Sequence, residues 1–116
     1  MANICSNWVE IRGEEKDIKA FIELVGKKFD FNQVIPTETD SRTEAIEKWG
    51  CSSIAFDAIL DDTDEESFAN WSFWTNWNAP TAIYNALVER FPDLHIYWRY
   101  EEPGNCLYGF LQNEEQ

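Results

Sequence analysis

The sequence predicts an α+β domain in which two amphipathic helices cover one face of an antiparallel sheet. Three observations carry that expectation. Apolar residues alternate along several short stretches, the period of a half-buried strand. Between them lie two stretches with the i, i+3, i+4, i+7 spacing of a helix that buries one side. The chain of 116 residues, 44% hydrophobic and 16% aromatic, has the length of one domain and enough large side chains to fill one core.

The first strand is expected at residues 3–12, with Cys5, Val9 and Ile11 on one face and Ile4, Ser6, Trp8 and Glu10 on the other. Gly13 ends it. Glu14, Glu15 and Asp17 then set negative charge in the first turn of a helix, where the macrodipole favours it. Ile18, Phe21, Ile22 and Val25 make its apolar stripe, and Gly26 with Lys27 and Lys28 suits its end. Residues 29–36 read as an apolar connector packed on the sheet, 37–42 as a polar loop, and 43–49 as a short extra helix stopped by Gly50. A second strand is expected at 53–60.

Residues 68–80, FANWSFWTNWNAP, are the most distinctive stretch. Trp71, Trp74 and Trp77 recur every three residues, a spacing that a helix also gives. Yet no Leu, Lys, Arg or Gln occurs from 67 to 80, and Asn70, Asn76 and Asn78 are weak helix formers. Aromatic and β-branched residues suit a pleated surface, so a strand is expected at 67–75. Ala69, Trp71, Phe73 and Thr75 then form its core face, with Phe68, Asn70, Ser72 and Trp74 opposite. Just upstream stand Asp57, Asp61, Asp62, Asp64, Glu65 and Glu66 with no basic residue among them. Residues 61–66 are read as the charged loop of a hairpin.

A second helix opens with Asn78 as cap and Pro80 at an early position. Ile83, Ala86, Leu87 and Phe91 are its buried stripe, and residues 91–93 end it. Leu94, Ile96, Trp98 and Tyr100 alternate with His95, Tyr97 and Arg99 in the next strand. A turn at 102–105 leads to a last strand at 106–111 and a polar tail, 112–116, expected to fray. Without the short extra helix and the C-terminal strand, the order is βαββαβ, a ferredoxin-like plait whose second sheet face is open.

Several motifs fall in one order along this chain. NxCSNxVxIxG stands as Asn3, Cys5, Ser6, Asn7, Val9, Ile11 and Gly13, and FDFNxVIP occupies 29–36. The pair Trp49 and Gly50 precedes the second strand, and TxWxxP appears as Thr75, Trp77 and Pro80. FPDL follows at 91–94, then RYEEPG at 99–104 and YGF at 108–110. In these motifs the chain resembles the YubB ferredoxin-like domain family of phage and plasmid proteins over nearly its whole length. The resemblance implies the fold and a mobile-element origin, without an established activity. Two departures stand out: Asn105 and Cys106 interrupt the glycine-rich close, and residues 61–66 are unusually acidic.

Net charge narrows the partner classes. The chain carries 22 acidic and 9 basic residues, a formal charge of −13. Phosphate binding draws on Lys and Arg that displace counterions, so nucleic acid and anionic membranes are repelled at long range and basic proteins attracted. Cys5, Cys51, Cys106 and the single His95 form no CxxC and no metal-ligand spacing, so neither a disulfide framework nor a zinc site is expected. Asp62, Asp64 and Glu66 are spaced like the start of a calcium loop, but Ser67 stands where that loop needs glycine and Phe73 where it needs its last carboxylate. No catalytic residue, cofactor or metal is expected. The start of the chain has no basic n-region or long apolar run, and a cytoplasmic, unanchored protein is expected.

The functional expectation is a phage-type interaction module. Its partner would be a basic, nucleic-acid-binding host or defence protein, engaged as DNA-mimic and anti-CRISPR inhibitors engage theirs. The contact residues are expected to be Asp61, Asp62, Asp64, Glu65 and Glu66 with Trp74 and Trp8. One alternative is a nucleotide or metabolite site between the sheet and residues 29–36. Another is base stacking on Trp8, Trp74 and Tyr97, although 66–74 lacks the basic residue and glycines of such surfaces.

Overall fold

In the computed structural model, which describes residues 4–39, 41–64, 67–76, 78–105 and 107–112, a layer of helices packs on one face of an antiparallel sheet. Among the described residues the order is β1 (Ile4–Arg12), α1 (Glu15–Val25), α2 (Phe31–Val34), α3 (Arg42–Trp49), β2 (Phe56–Asp64), β3 (Phe68–Asn76), α4 (Thr81–Arg90) and β4 (His95–Glu102). A 3-10 turn at Pro103–Asn105 then leads to β5 (Leu107–Gln112). The strands lie side by side as β2-β3-β1-β4-β5, every neighbouring pair antiparallel. β1 is therefore central, α1 to α3 carry the chain from β1 out to β2, and α4 carries it from β3 across to β4. The α+β class is the one the periodicities imply.

The core is aromatic, and Phe29 stands at its middle. Its ring meets those of Phe21, Phe31, Trp71, Phe73 and Trp98 at centroid distances of 4.9–6.2 Å. Its backbone is left-handed, with φ of 53°, which for a bulky residue costs about 1–2 kcal/mol and is offset by complete burial of the ring. Three buried indoles each find an acceptor. Trp49 donates to the Ile35 carbonyl at 2.9 Å, Trp71 to that of Gly26 at 3.0 Å, and Trp98 to Asn7 Oδ1 at 3.0 Å. β3 presents Ala69, Trp71, Phe73 and Thr75 to this core, as its alternation predicts. At the far side, Gly109 sits opposite Tyr100, and a Cβ there would stand 2.6 Å from the tyrosine hydroxyl.

Local chemistry explains where the elements depart from expectation. The connector at 29–36 contains the single-turn helix α2, capped by Asp30, whose carboxylate accepts from Asn32 N at 3.0 Å. β2 begins at Phe56 rather than at residue 53, because Ser53 turns to hold Asn76 N through its hydroxyl at 2.9 Å. Pro80 is itself the cap position of α4; the Asn78 side chain does not cap it, and the Asn78 carbonyl accepts from Thr75 Oγ1 at 2.7 Å.

The largest correction concerns the acidic run. β2 continues through Asp64, so Asp61, Asp62 and Asp64 belong to a strand, not a loop. Cross-strand bonding outweighs the poor strand propensity of aspartate there. Thr63 Oγ1 donates to the Phe68 carbonyl at 3.1 Å, and Ser67 N closes the turn on the Asp64 carbonyl at 2.8 Å. Register shifts between Phe56 and Ile59 and between Leu60 and Asp62 mark bulges, with Asp57 at φ 53° in the first. Glu65, Glu66, Trp77, Cys106 and the tail beyond 112 lie outside the described residues.

Candidate functional site

The helices cover only one side of the sheet, and the strand residues in the other phase form an open face. Register places them in rows across the strands. Ile59, Ser72, Trp8, Arg99 and Phe110 make the middle row. Phe56, Trp74, Ser6, Glu101 and Tyr108 make the next, and Asn70, Glu10 and Tyr97 lie on the other side. At the end of the face Asp64, Phe68, Arg12 and His95 fall in line. The face is about 19 Å across, taking strands roughly 4.8 Å apart.

Large apolar groups are left in water here. Trp74 is 45% exposed, Tyr108 60%, Phe110 58% and Ile59 57%. Phe56 and Trp74 meet edge to face at 6.0 Å, and Tyr97 meets Phe110 at 5.4 Å. Such exposure runs against burial and marks contact surfaces more often than bare sheet. The charges are mixed with an acidic excess: Arg12 and Arg99 stand against Glu10, Asp61, Asp64 and Glu101. Both guanidiniums are engaged within the chain. Arg12 Nε donates to Glu10 Oε2 at 2.8 Å and its Cζ lies 5.7 Å from the Phe68 ring centre. Arg99 Cζ lies over Trp8 at 4.0 Å from the ring centre.

Of the residues expected to make contact, Trp74 is exposed on this face and Asp61 and Asp64 are exposed on the edge strand beside it. Asp62 is placed through its backbone, opposite Asn70. Trp8 is on the face but half-buried beneath Arg99, not at a free rim. A hollow of about 350 Å³ opens at this point, lined by Trp8, Glu10, Asp61, Asn70, Tyr97 and Arg99. Glu10, Asn70 and Arg99 were not singled out from the sequence as contact residues; their strand phase, shared with Trp8 and Tyr97, is the signal that points to them. Between the sheet and the connector, where a small-ligand site was an alternative, Phe29 and Phe31 are fully buried against Phe73.

The cysteines described are chemically quiet. Burial pushes the Cys5 thiol up to about 11 and the Cys51 thiol up to about 12. Cys5 lies opposite Thr75 on the helix-covered side, whereas His95 lies opposite Arg12 on the open side. Seven residues of strand separate those positions, roughly 23 Å at 3.3 Å per residue, so the two cannot act as a nucleophile and base. Among the described residues no group of His, Cys, Asp and Glu is arranged to hold a metal, and no helix is long and apolar enough to cross a membrane.

An α+β protein with one helix-covered and one open, aromatic sheet face is the class these observations define. The crystal structure of a protein api92 from Yersinia pseudotuberculosis, described under the family DUF1281, superposes with a TM-score of 0.71, covering 98% of this chain and 95% of that one at 10% identity. At that identity the likeness is one of fold. No family model matches the sequence, and no curated protein matches it.

Proposed function

We propose that this chain is a non-enzymatic accessory protein of phage or plasmid type, built as a ferredoxin-like plait, that binds a basic protein through its open sheet face and acidic edge strand. The strand order β4-β1-β3-β2 within a βαββαβ connection supports the fold name, with β5 added beside β4. The mobile-element assignment rests on the YubB-type motifs in the sequence.

One observation carries the partner class: Trp74 stands exposed beside a strand bearing Asp57, Asp61, Asp62 and Asp64, on a face where carboxylates outnumber guanidiniums. Exposed tryptophan is the residue type that anchors interfaces, and the carboxylates steer a cationic partner. A single-stranded nucleic acid would also find rings to stack on. Among the described residues the open-face strand positions carry no lysine, and the guanidiniums there are already engaged with Glu10 and Trp8, against a total charge of −13. A basic nucleic-acid-binding protein of the host or its defences fits the same surface, the aspartates standing where phosphates would.

The test is capture from host lysate on immobilised protein at low and high salt, with duplex DNA as competitor. A basic nucleic-acid-binding protein should be retained at low salt and released both by salt and by DNA. Retention of nothing basic at low salt, or tight binding of single-stranded RNA at physiological salt, would sink the proposal.

A further inference from the structure

We propose that the hollow at the centre of the open face is a receptor for one arginine side chain of the basic partner, and that Arg99 holds its place until the partner arrives. The inference deepens the interaction reading above and rests on it.

The geometry already shows what this aromatic surface accepts. Arg99 lies with its Cζ over the Trp8 ring, 4.0 Å from the ring centre, a cation–π contact that arginine makes more often than lysine. Tyr97, in the row beside Trp8, supplies a second ring to the lining. Apart from Arg99, the charged groups of the lining are the carboxylates of Glu10 and Asp61, with the Asn70 amide beside them. Glu10 is oriented by Arg12, which donates to Oε2 at 2.8 Å, and Asn70 donates to its Oε1 at 3.1 Å once the Asn70 amide is turned over, the orientation that pairs its donor with an acceptor. Asp61 is oriented by the Ser72 hydroxyl, which donates to Oδ1 at 3.2 Å.

Two aromatic walls with two positioned carboxylates are a cation-binding composition. A nucleotide would have to set its phosphate among those carboxylates with Arg99 as its counter-charge. Arg99 is itself exposed, so its contact with Trp8 is weakly held and open to exchange. An occupied receptor lowers the apparent affinity for an incoming ligand by the fraction of time it is free, so removing the occupant should strengthen binding. That sign separates the two chemistries. Arg99→Ala favours an arginine ligand and disfavours an anionic one.

The experiment follows the indole resonance of Trp8 by NMR while a short acetylated, amidated Gly-Arg-Gly peptide is added. The same peptide with citrulline is the neutral control, and AMP is the anionic probe. The Trp8 signal should move with the arginine peptide and not with citrulline or AMP. Arg99→Ala should tighten arginine binding several-fold, and Glu10→Gln with Asp61→Asn should weaken it on the order of tenfold. Circular dichroism of each variant checks that the fold is kept. Weaker arginine binding in Arg99→Ala, or a Trp8 response to AMP that this variant abolishes, overturns the proposal. So does an unmoved Trp8 signal in both wild type and variant. If the lysate experiment captures a basic partner that Arg99→Ala and the Glu10/Asp61 variant hold as wild type does, the receptor is wrong and the interaction reading stands. If no basic partner is captured either, both fall.

Discussion

Asn7 shows how much a single polar side chain can organise in an apolar core. It is buried, accepts from Trp98 Nε1, and donates to the Cys5 carbonyl at 3.2 Å and to Thr75 Oγ1 at 3.1 Å. Removing it takes the acceptor from the buried Trp98 Nε1, a cost of about 1–3 kcal/mol, and breaks two further bonds to Cys5 and Thr75. Asn7→Ala should therefore lower unfolding free energy by roughly 2–4 kcal/mol in a urea titration. Glu44 offers a contrasting case at the surface. Its carboxylate receives Glu38 N at 2.8 Å, Thr39 N and Oγ1 at 2.7 Å, and Lys48 Nζ at 3.0 Å. These donors, the Glu38 backbone first, hold it down at about 2. Its unfolded value is near 4.5, so the stabilisation is whole above that pH and disappears as pH falls from there towards 2. Thermal unfolding of Glu44→Gln against wild type should differ at neutral pH and converge below pH 2.

At the scale of elements, the two edges of the sheet are built differently. β2 is bulged twice and rich in aspartate, features that discourage pairing with another strand. β5 carries Tyr108 and Phe110 and no charged residue. The acidic strand is thus an element whose Asp61 and Asp64 are exposed at the surface, while ladder pairing with β3 on either side of its bulges holds its backbone. Replacing Asp61 and Asp64 with asparagine should leave the melting temperature within the few degrees expected of surface changes and weaken partner capture at low salt. Unaltered capture would remove this strand from the interface. The aromatic rings divide the same way between core and face. Phe29→Ala should cost about 3–5 kcal/mol, since its ring touches rings from α1, α2, β3 and β4. Trp74→Ala should cost far less stability, about 1 kcal/mol or below, because the ring is 45% exposed, yet it should reduce partner capture.

For the whole molecule, charge and area set the kind of binding to expect. A face about 19 Å wide and roughly 26 Å long, eight residues at 3.3 Å, offers on the order of 500 Å². Standard interfaces bury about 800 Å² per partner, so the sheet face alone suits a transient contact, and the edge strand must share a stable one. With a charge of −13, association with a cationic partner should be fast at low salt and slow steeply as salt rises, with dissociation changing less. Stopped-flow measurement across a salt series checks this; a salt-independent on-rate would make the charge irrelevant to capture.

Period and turn chemistry are local, and what depends on them is legible in the chain. The phases of β1, β3 and β4, the buried face of α1 and the α+β class all follow from which residues are apolar and how far apart they stand. Asn7 carried a signal too: a polar residue in phase with Val9 and Ile11 on a core-facing strand has to find partners inside. The partners themselves are distant in sequence, 68 residues away in Thr75 and 91 in Trp98, and only folding brings them together. The same holds for the surface. Composition made residues 61–66 look like a loop, but the ladder to β3 made most of them strand. Trp8 was expected as a contact residue, and only the pairing of β1 with β4 brings Arg99 over its ring. Local spacing determined which side of each strand is apolar; cross-strand register, which no local pattern encodes, decided that rings, carboxylates and one guanidinium meet in a single hollow.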